Sequence, residues 1–368
     1  MPKGQRRNQH GAASSFVALP PYLGGKRRLC PTIFREIDRV VSRERWHGLN
    51  FLDAFQGGGS VSLYAKAQGF SVTSCDLAAR AIVIGKALIE NSGVRLSRED
   101  LSRALITPLR ETTSRAMLFV PSVFTPNVGA LLDRLLNAAD AATVQAKAAL
   151  YRLLAMRVAM LAHPMSQVRK GTAHRASTGE WESITPSCLS HYVDALRLDT
   201  LDRLWHLAQK MNAGVFEGKG RVIQGDVLEL LSSIQADVSY LDPPYANVMS
   251  YEKEYAVIDR LLEGFTRPTS PFTARNGASM IDTLLERALH IPVWVLSFGN
   301  AVASLEELEE KMTRLGRVTR AIAIRYQHLP AIATEEKKRV NREYLLIGVD
   351  PTSTLPLRLE GTRGEVAV

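Results

Sequence analysis

Short apolar runs alternate along this chain with longer stretches of helical periodicity, the pattern of an α/β fold. The runs are Leu49 to Ala54 (LNFLDA), Ser71 to Cys75, Arg221 to Gln224, Ala236 to Leu241 (ADVSYL) and Val293 to Asn300 (VWVLSFGN). Each predicts a strand, and ADVSYL a buried one. Helical spacing predicts helices over Leu29 to Val41, Val61 to Gln68 and Tyr192 to Met211, with a further helical stretch from Val128 to Leu161. Ser97-Arg98-Glu99-Asp100 reads as a helix start. A late hairpin is expected from Val318–Tyr326 to Tyr344–Val349. The alternation lapses between about 96 and 214, so the expected architecture is a doubly wound, mostly parallel sheet with a mostly helical inserted subdomain.

Two strand ends carry the chemistry. The buried strand stops at Asp242-Pro243-Pro244-Tyr245, and in open α/β sheets ligands bind beyond the strands' carboxyl ends. Proline fixes φ and lacks an N–H, so the pair makes a stiff turn that offers carbonyl acceptors and no competing donors. Asp242 adds a second acceptor and Tyr245 a flat face. Acceptors beside a stacking surface suit a planar ring with an exocyclic amine. At the other end, LNFLDA runs into Phe55-Gln56-Gly57-Gly58-Gly59-Ser60 and then a helix. Such a turn lets the backbone approach a ligand, and the helix N-terminus points N–H groups at it. Asp76 ends the next strand about 20 residues on, where a carboxylate typically takes a ribose hydroxyl pair. GGGS lacks the lysine and threonine of a P-loop, which disfavours phosphate binding.

With Tyr22-Leu23-Gly24-Gly25-Lys26 upstream, these motifs resemble the Dam-like DNA adenine-specific methyltransferases. The likeness continues into Val293–Asn300 and into Arg342-Glu343-Tyr344-Leu345-Leu346-Ile347, and covers roughly residues 18–95 and 215–350. It implies the Rossmann-like fold of S-adenosylmethionine-dependent methyltransferases, with S-adenosylmethionine as cofactor. Tyr22 and Lys26 would flank its methionine end, Lys26 facing the carboxylate. Asp53 and the turn Phe55, Gly57, Gly58, Gly59 and Ser60 would pass beneath it, and Asp76 would hold the ribose. Asp226 would lie near the adenine ring, although a helix N-cap there is as natural a reading. Asp242, Pro243, Pro244 and Tyr245 would hold the target base. The resemblance departs at Cys75-Asp76, where the family often has Asn-Asp, and at Ser297-Phe298-Gly299, where Ser-Tyr is usual; neither removes a reacting group.

The implied reaction moves a methyl group to the 6-amino group of adenine in double-stranded DNA, with the base flipped out of the helix. Hydrogen bonds from the amine to Asp242 and the Pro243 carbonyl would localise its lone pair and stabilise the charge that develops. Alignment of amine, methyl and sulfur supplies much of the rest, and neither a metal nor a covalent nucleophile is required. Cytosine in DNA or a base in RNA is an alternative substrate, disfavoured because related enzymes often have Ser or Asn where the tetrad has Asp242. A non-catalytic DNA-binding regulator is disfavoured by the intact GGGS, Asp76 and DPPY.

The formal net charge of +9 suits a polyanionic partner. Residues 1–30 hold Lys3, Arg6, Arg7, Lys26, Arg27 and Arg28 with no acid, and a second basic run includes Lys337 and Lys338. Residues 101–180 hold ten Lys or Arg against four Asp or Glu, which fits a target-recognition role for the insertion. Within it the 166–181 loop, with Arg169, Lys170 and Arg175, is the candidate DNA-reading element; a surface loop is the plain alternative. Tyr251 and Tyr255, in MSYEKEY, either line the base pocket, with Tyr251 a DNA contact, or form an ordinary packing pair. The expected organisation is a basic, flexible tail over 1–17, a catalytic domain over 18–95 and 215–350, the target-recognition subdomain over 96–214 and a C-terminal tail over 351–368. Cys30, Cys75 and Cys188 suggest neither a disulfide framework nor a zinc site. No segment has a signal-peptide layout, and Ala148 to Ala162, interrupted by Arg152 and Arg157, is too short to span a bilayer. A cytoplasmic protein is expected, with a companion restriction endonuclease or defence-system protein as a further partner. Its oligomeric state and recognition sequence are not legible.

Overall fold

The computed structural model describes residues 15–108, 114–120, 122–162, 201–244, 254–265, 270–273, 277–299, 304–325, 343–358 and 363–367. Its centre is an eight-stranded sheet of β1 (Asn50–Asp53), β2 (Ser71–Asp76), β3 (Gly220–Gln224), β4 (Val238–Leu241), β5 (Val293–Gly299), β6 (Val318–Arg325), β7 (Glu343–Val349) and β8 (Arg363–Ala367). Their spatial order is β3-β2-β1-β4-β5-β7-β6-β8. The pairs from β3 to β5 are parallel, β7 runs antiparallel between β5 and β6, and β8 lies parallel to β6. The order reverses between β1 and β4, the switch point at which ligands bind in doubly wound sheets. Asp53 and Tyr240 are paired there, so the glycine turn and the DPPY tetrad leave the sheet side by side.

Both faces of the sheet are covered, as long apolar strands require. Phe51, Tyr240, Val295, Ile322 and Ile347 share one cluster with α1 (Cys30–Val40), α2 (Ser60–Gln68) and α3 (Ala79–Ile84). Leu52, Leu241, Trp294, Leu296 and Leu346 face α8 (Val227–Leu230), α10 (Gly277–Arg287) and α11 (Leu305–Arg314). The expected doubly wound sheet is therefore borne out. Alternation along each strand divides the residues cleanly between the two clusters.

The inserted segment is helical where described: α4 (Arg98–Ile106), α5 (Pro126–Ala141), α6 (Gln145–Ala162) and α7 (Leu201–Asn212). These helices do not form a core of their own. Leu101, Leu132, Leu150, Leu154 and Leu204 belong to the same cluster as Phe51 and Tyr240. The apolar stretch from Val128 to Leu161 is two helices rather than one, broken at Ala142-Thr143-Val144 beside two β-branched residues. The next described helix beyond β4 is α9 (Ala256–Glu263).

Two features depart from the sequence reading. The segment expected as a C-terminal tail ends in β8, whose RGEVA sequence has no apolar pattern and takes its strand form from the open edge of β6. And α3 continues as a π-helical turn over Gly85–Glu90. The buried Lys66 ammonium donates to the carbonyls of Leu88 (3.0 Å) and Asn91 (2.7 Å) at that turn. Among the described residues no helix is long and apolar enough to cross a membrane.

Candidate active site

The glycine turn is fixed from below and from the side. Gly57 and Gly59 have φ of 50° and 73°, a left-handed conformation that costs other residues energy, and Gly59 caps α2. Gln56 anchors the turn to its neighbours. Its backbone N–H donates to Cys75 O (2.9 Å), its Oε1 accepts from Ser74 Oγ (2.7 Å) and its Nε2 donates to Ala81 O. Asp76 closes the other side, with Oδ2 accepting from the Gly57 N–H and Oδ1 from the Ala78 N–H, both at 2.8 Å. Burial raises the Asp76 pKa, and those hydrogen bonds oppose the rise.

Tyr22 lies directly on the turn. A Cβ built on Gly58 would come 2.7 Å from Tyr22 Cβ and 2.8 Å from its Cγ, while one on Gly59 would come 2.9 Å from Ile84 Cγ2. The glycines therefore serve the close packing of the protein's own side chains as well as any ligand. The Tyr22 ring stacks on Tyr255 at 5.0 Å. Its hydroxyl accepts from Arg80 Nε (3.1 Å), and the buried Arg80 guanidinium lies 4.3 Å from the Tyr255 ring centroid and pairs with Asp259. The Tyr255 hydroxyl accepts from the Leu23 N–H at 2.8 Å. Tyr255 is fully buried and packs on Tyr22.

Beneath the switch point lies a row of buried polar groups. Asp53 Oδ2 accepts from Ser62 N (3.1 Å) and Ser62 Oγ (2.6 Å), while its Oδ1 is buried without a partner among the described residues. Burial, reinforced by the Asp242 and Asp76 carboxylates, pushes the Asp53 carboxyl up to about 7. The Lys26 ammonium sits 2.9 Å from both Asp242 oxygens and 3.3 Å from Glu343 Oε1. Ser297 Oγ donates to the same Glu343 oxygen at 2.6 Å. Lys26, expected against a cofactor carboxylate, here faces the tetrad's aspartate.

The remaining sequence-derived residues divide. Asp226 is the N-cap of α8, its Oδ1 accepting from the Leu228 N–H at 2.9 Å. Phe55 meets Phe272 edge to face at 5.2 Å, and Ser60 is buried at the start of α2. Pro243 is buried and Pro244 half-buried beside Asp242. Of the basic pair, Arg27 donates to Pro20 O whereas Arg28 is exposed. Tyr245, Tyr251, Arg169, Lys170, Arg175, Lys337 and Lys338 lie outside the described residues. Sequence reasoning missed Arg80 and Asp259, and it quoted Ser297 and Glu343 within strand motifs without giving either a part in the site.

A family model for D12 class N6 adenine-specific DNA methyltransferases matches residues 22–120, the stretch that holds Lys26, the glycine turn and Asp76. The chain is also 25% identical over 345 residues to the Type II methyltransferase M2.HphI of Haemophilus parahaemolyticus, covering 89% of this chain and 96% of that protein. By these likenesses the stretch from Tyr22 to Val120 is similar to the D12 class N6 adenine-specific DNA methyltransferases, in line with the resemblance to the Dam-like enzymes.

Proposed function

We propose that the protein is a site-specific DNA adenine methyltransferase that transfers the methyl group of S-adenosylmethionine to the 6-amino group of a flipped-out adenine. The observation that carries this reading is the placement of Asp242. It leaves β4 beside the glycine turn of β1, its side chain 16% exposed while its Lys26 partner is 6% exposed, so the carboxylate is both oriented and reachable.

The residues around the turn fit the cofactor. S-adenosylmethionine is cationic at its sulfonium and amino groups, and this region is lined by Asp53, Asp76 and Asp242. Asp53 Oδ1 is a buried acceptor in want of a donor. Asp76 is the candidate for the ribose hydroxyls, the turn from Phe55 to Ser60 for the floor, and Tyr22 for a wall. Asp226 is the remaining candidate near the adenine ring. Lys26 is reassigned in this proposal from the methionine carboxylate to Asp242.

When bound, the cofactor supplies an electrophilic methyl group on a sulfonium. The chain's own part is to hold the amine. Asp242 Oδ and the Pro243 carbonyl accept its two N–H groups, which localises the nitrogen lone pair and stabilises the positive charge that appears there. Proline at 243 and 244 keeps competing N–H donors away from those acceptors. Tyr245 is the candidate stacking face for a base taken out of the helix. The product ammonium is acidic enough to lose its proton to water, so Asp242 acts as an acceptor and needs no raised pKa.

DNA is the proposed substrate and Arg28, Arg169, Lys170, Arg175, Tyr251, Lys337 and Lys338 its proposed contacts, with Arg27 held in reserve by its bond to Pro20. The likeness to a Type II methyltransferase supports a companion restriction endonuclease. The test is transfer of labelled methyl from S-adenosylmethionine to duplex DNA, with RNA in parallel, followed by nucleoside analysis. N6-methyl-2′-deoxyadenosine from DNA is the expected product. Methylcytosine, a labelled RNA base or no transfer to either would overturn the proposal.

A further inference from the structure

Among the buried carboxylates of the site, one lies next to the reacting aspartate without a direct part in methyl transfer. Glu343 opens β7 and is fully buried. A carboxylate out of water is costly unless it is both paired and hydrogen-bonded, and the ammonium that pairs with Glu343 also holds the reacting aspartate. Ser297 Oγ donates to its Oε1 at 2.6 Å from β5, the strand that separates β4 from β7. Lys26 Nζ lies 3.3 Å from the same oxygen and 2.9 Å from both oxygens of Asp242. One ammonium therefore bridges carboxylates that reach it from either side of β5. A lysine has a long flexible stem, and a single anchor would leave it to move with Asp242. A second anchor on β7 fixes its position against the sheet.

We propose that Glu343 is a positioning residue for methyl transfer that acts through Lys26. It holds the ammonium where the Asp242 carboxylate keeps one orientation towards the target amine, and Ser297 holds Glu343 in turn. The inference rests on the adenine methyltransferase reading of the site. Placement of this kind affects the reacting geometry rather than the affinity for either ligand, because Glu343 is fully buried and acts through Lys26.

The experiment is single-turnover methyl transfer by the full chain to duplex DNA, with enzyme in excess and dissociation constants for S-adenosylmethionine and DNA measured alongside. Glu343→Gln and Ser297→Ala are made in the natural chain, and Glu343→Gln also in a Lys26→Gln background. Glu343→Gln is near-isosteric, and unchanged cofactor affinity shows that the variant is folded. The expected result is a rate constant lower on the order of 10- to 100-fold for Glu343→Gln, the scale of small misplacements at a reacting centre. Ser297→Ala should fall in the same direction by less, with both dissociation constants unmoved. In the Lys26→Gln background the further loss from Glu343→Gln should shrink to about twofold or less, because residues acting in series are not additive. A natural rate for Glu343→Gln, an equal loss in both backgrounds or a loss confined to cofactor affinity would each overturn the inference. Those outcomes leave the adenine methyltransferase reading standing; only a natural chain that forms no N6-methyladenine in DNA removes it, and the inference with it.

Discussion

The rings of Tyr22 and Tyr255 stack with centroids 5.0 Å apart and planes 22° from parallel. Tyr22 rests on the glycine turn at the carboxyl end of β1. Tyr255 immediately precedes α9, ten positions after Tyr245 in sequence. The proposed cofactor side and base side of the site thus share one aromatic contact, with Arg80 packed against it. Stacked pairs contribute about 0.5–1.5 kcal/mol beyond their buried area, so the contact is a real brace between the two sides.

Tyr255→Phe keeps the stack but leaves the Leu23 N–H without its acceptor. Its expected cost is about 1–3 kcal/mol, the penalty for stranding a buried polar group. Tyr255→Ala also removes the ring and should cost about 3–5 kcal/mol. Denaturant unfolding of the two variants separates the hydroxyl from the ring; equal losses would mean that the ring contributes nothing.

Gly58→Ala should damage the turn for steric reasons. The added methyl would meet the root of Tyr22, at Cβ and Cγ, which swings less freely than a ring tip. Overpacking of this kind costs about 1–3 kcal/mol, and cofactor affinity should fall with it as Tyr22 is displaced. Combining Gly58→Ala with Tyr22→Gly, which removes both Cβ and Cγ, should cost less than the two single changes summed, measured by thermal unfolding; strict additivity would place the strain elsewhere.

Asp53 makes stability depend on pH in an unusual direction. Its carboxyl is pushed up to about 7 in the folded protein, chiefly by burial, against an ordinary value of 3.8. Below the ordinary value both states are protonated and nothing is lost. Between there and about 7 the unfolded chain releases a proton that the folded chain keeps, so stability falls as pH rises, and the full penalty is present above that window. Asp53→Asn should therefore stabilise the protein by a few kcal/mol at pH 8, on the order of 1.4 kcal/mol for each pH unit that the window spans, and far less at pH 4. Unfolding midpoints of both proteins across that range test it, and a gain independent of pH would contradict it.

Arg80 and Asp259 are both buried and pair with each other. Removing one member of such a pair leaves an uncompensated charge, so Asp259→Ala should cost about 3–5 kcal/mol. Arg80→Met with Asp259→Leu should recover much of that loss, and a double variant as unstable as the single one would show that packing rather than charge is at stake.

Asp242→Ala should abolish methyl transfer with cofactor binding still measurable, and retained turnover would end its proposed role. Asp76→Ala should weaken cofactor binding about 10-fold or more, consistent with roughly 1.5–3 kcal/mol for hydrogen bonds to a charged group. It should also lower stability, because the carboxylate accepts from Gly57 and Ala78. Unchanged cofactor affinity in calorimetry would remove the ribose assignment.

The strands and their order of use were legible because buried strands are apolar and end in turn residues. LNFLDA, ADVSYL and VWVLSFG each announce themselves in this way, and DPPY and GGGS mark where two of them leave the sheet. RGEVA was not legible. Its pairing comes from the neighbouring edge of β6 and not from its own pattern. The break at Ala142-Thr143-Val144 was hidden because apolar spacing runs through it. Within the site, residues near a motif in sequence could be found, and partners brought in by the fold could not. Lys26 and Asp242 are 216 positions apart, and Ser297 and Glu343 are 46 apart. Lysine beside a glycine turn reads as a ligand for an anion; only the sheet order turns it towards Asp242.

The late position of β7 sets a timetable for synthesis. Strands β1 to β5 form an unbroken parallel block that can assemble as the chain emerges, but β6 is made before the strand that must lie between it and β5. Until Glu343–Val349 leaves the ribosome, β6 has no seat in the sheet and β5 shows an open edge. Under the positioning role proposed for Glu343, a half-made chain with its glycine turn and tetrad already folded is still a poor catalyst. Under that role the reacting geometry is complete only once the last interior strand has joined the sheet.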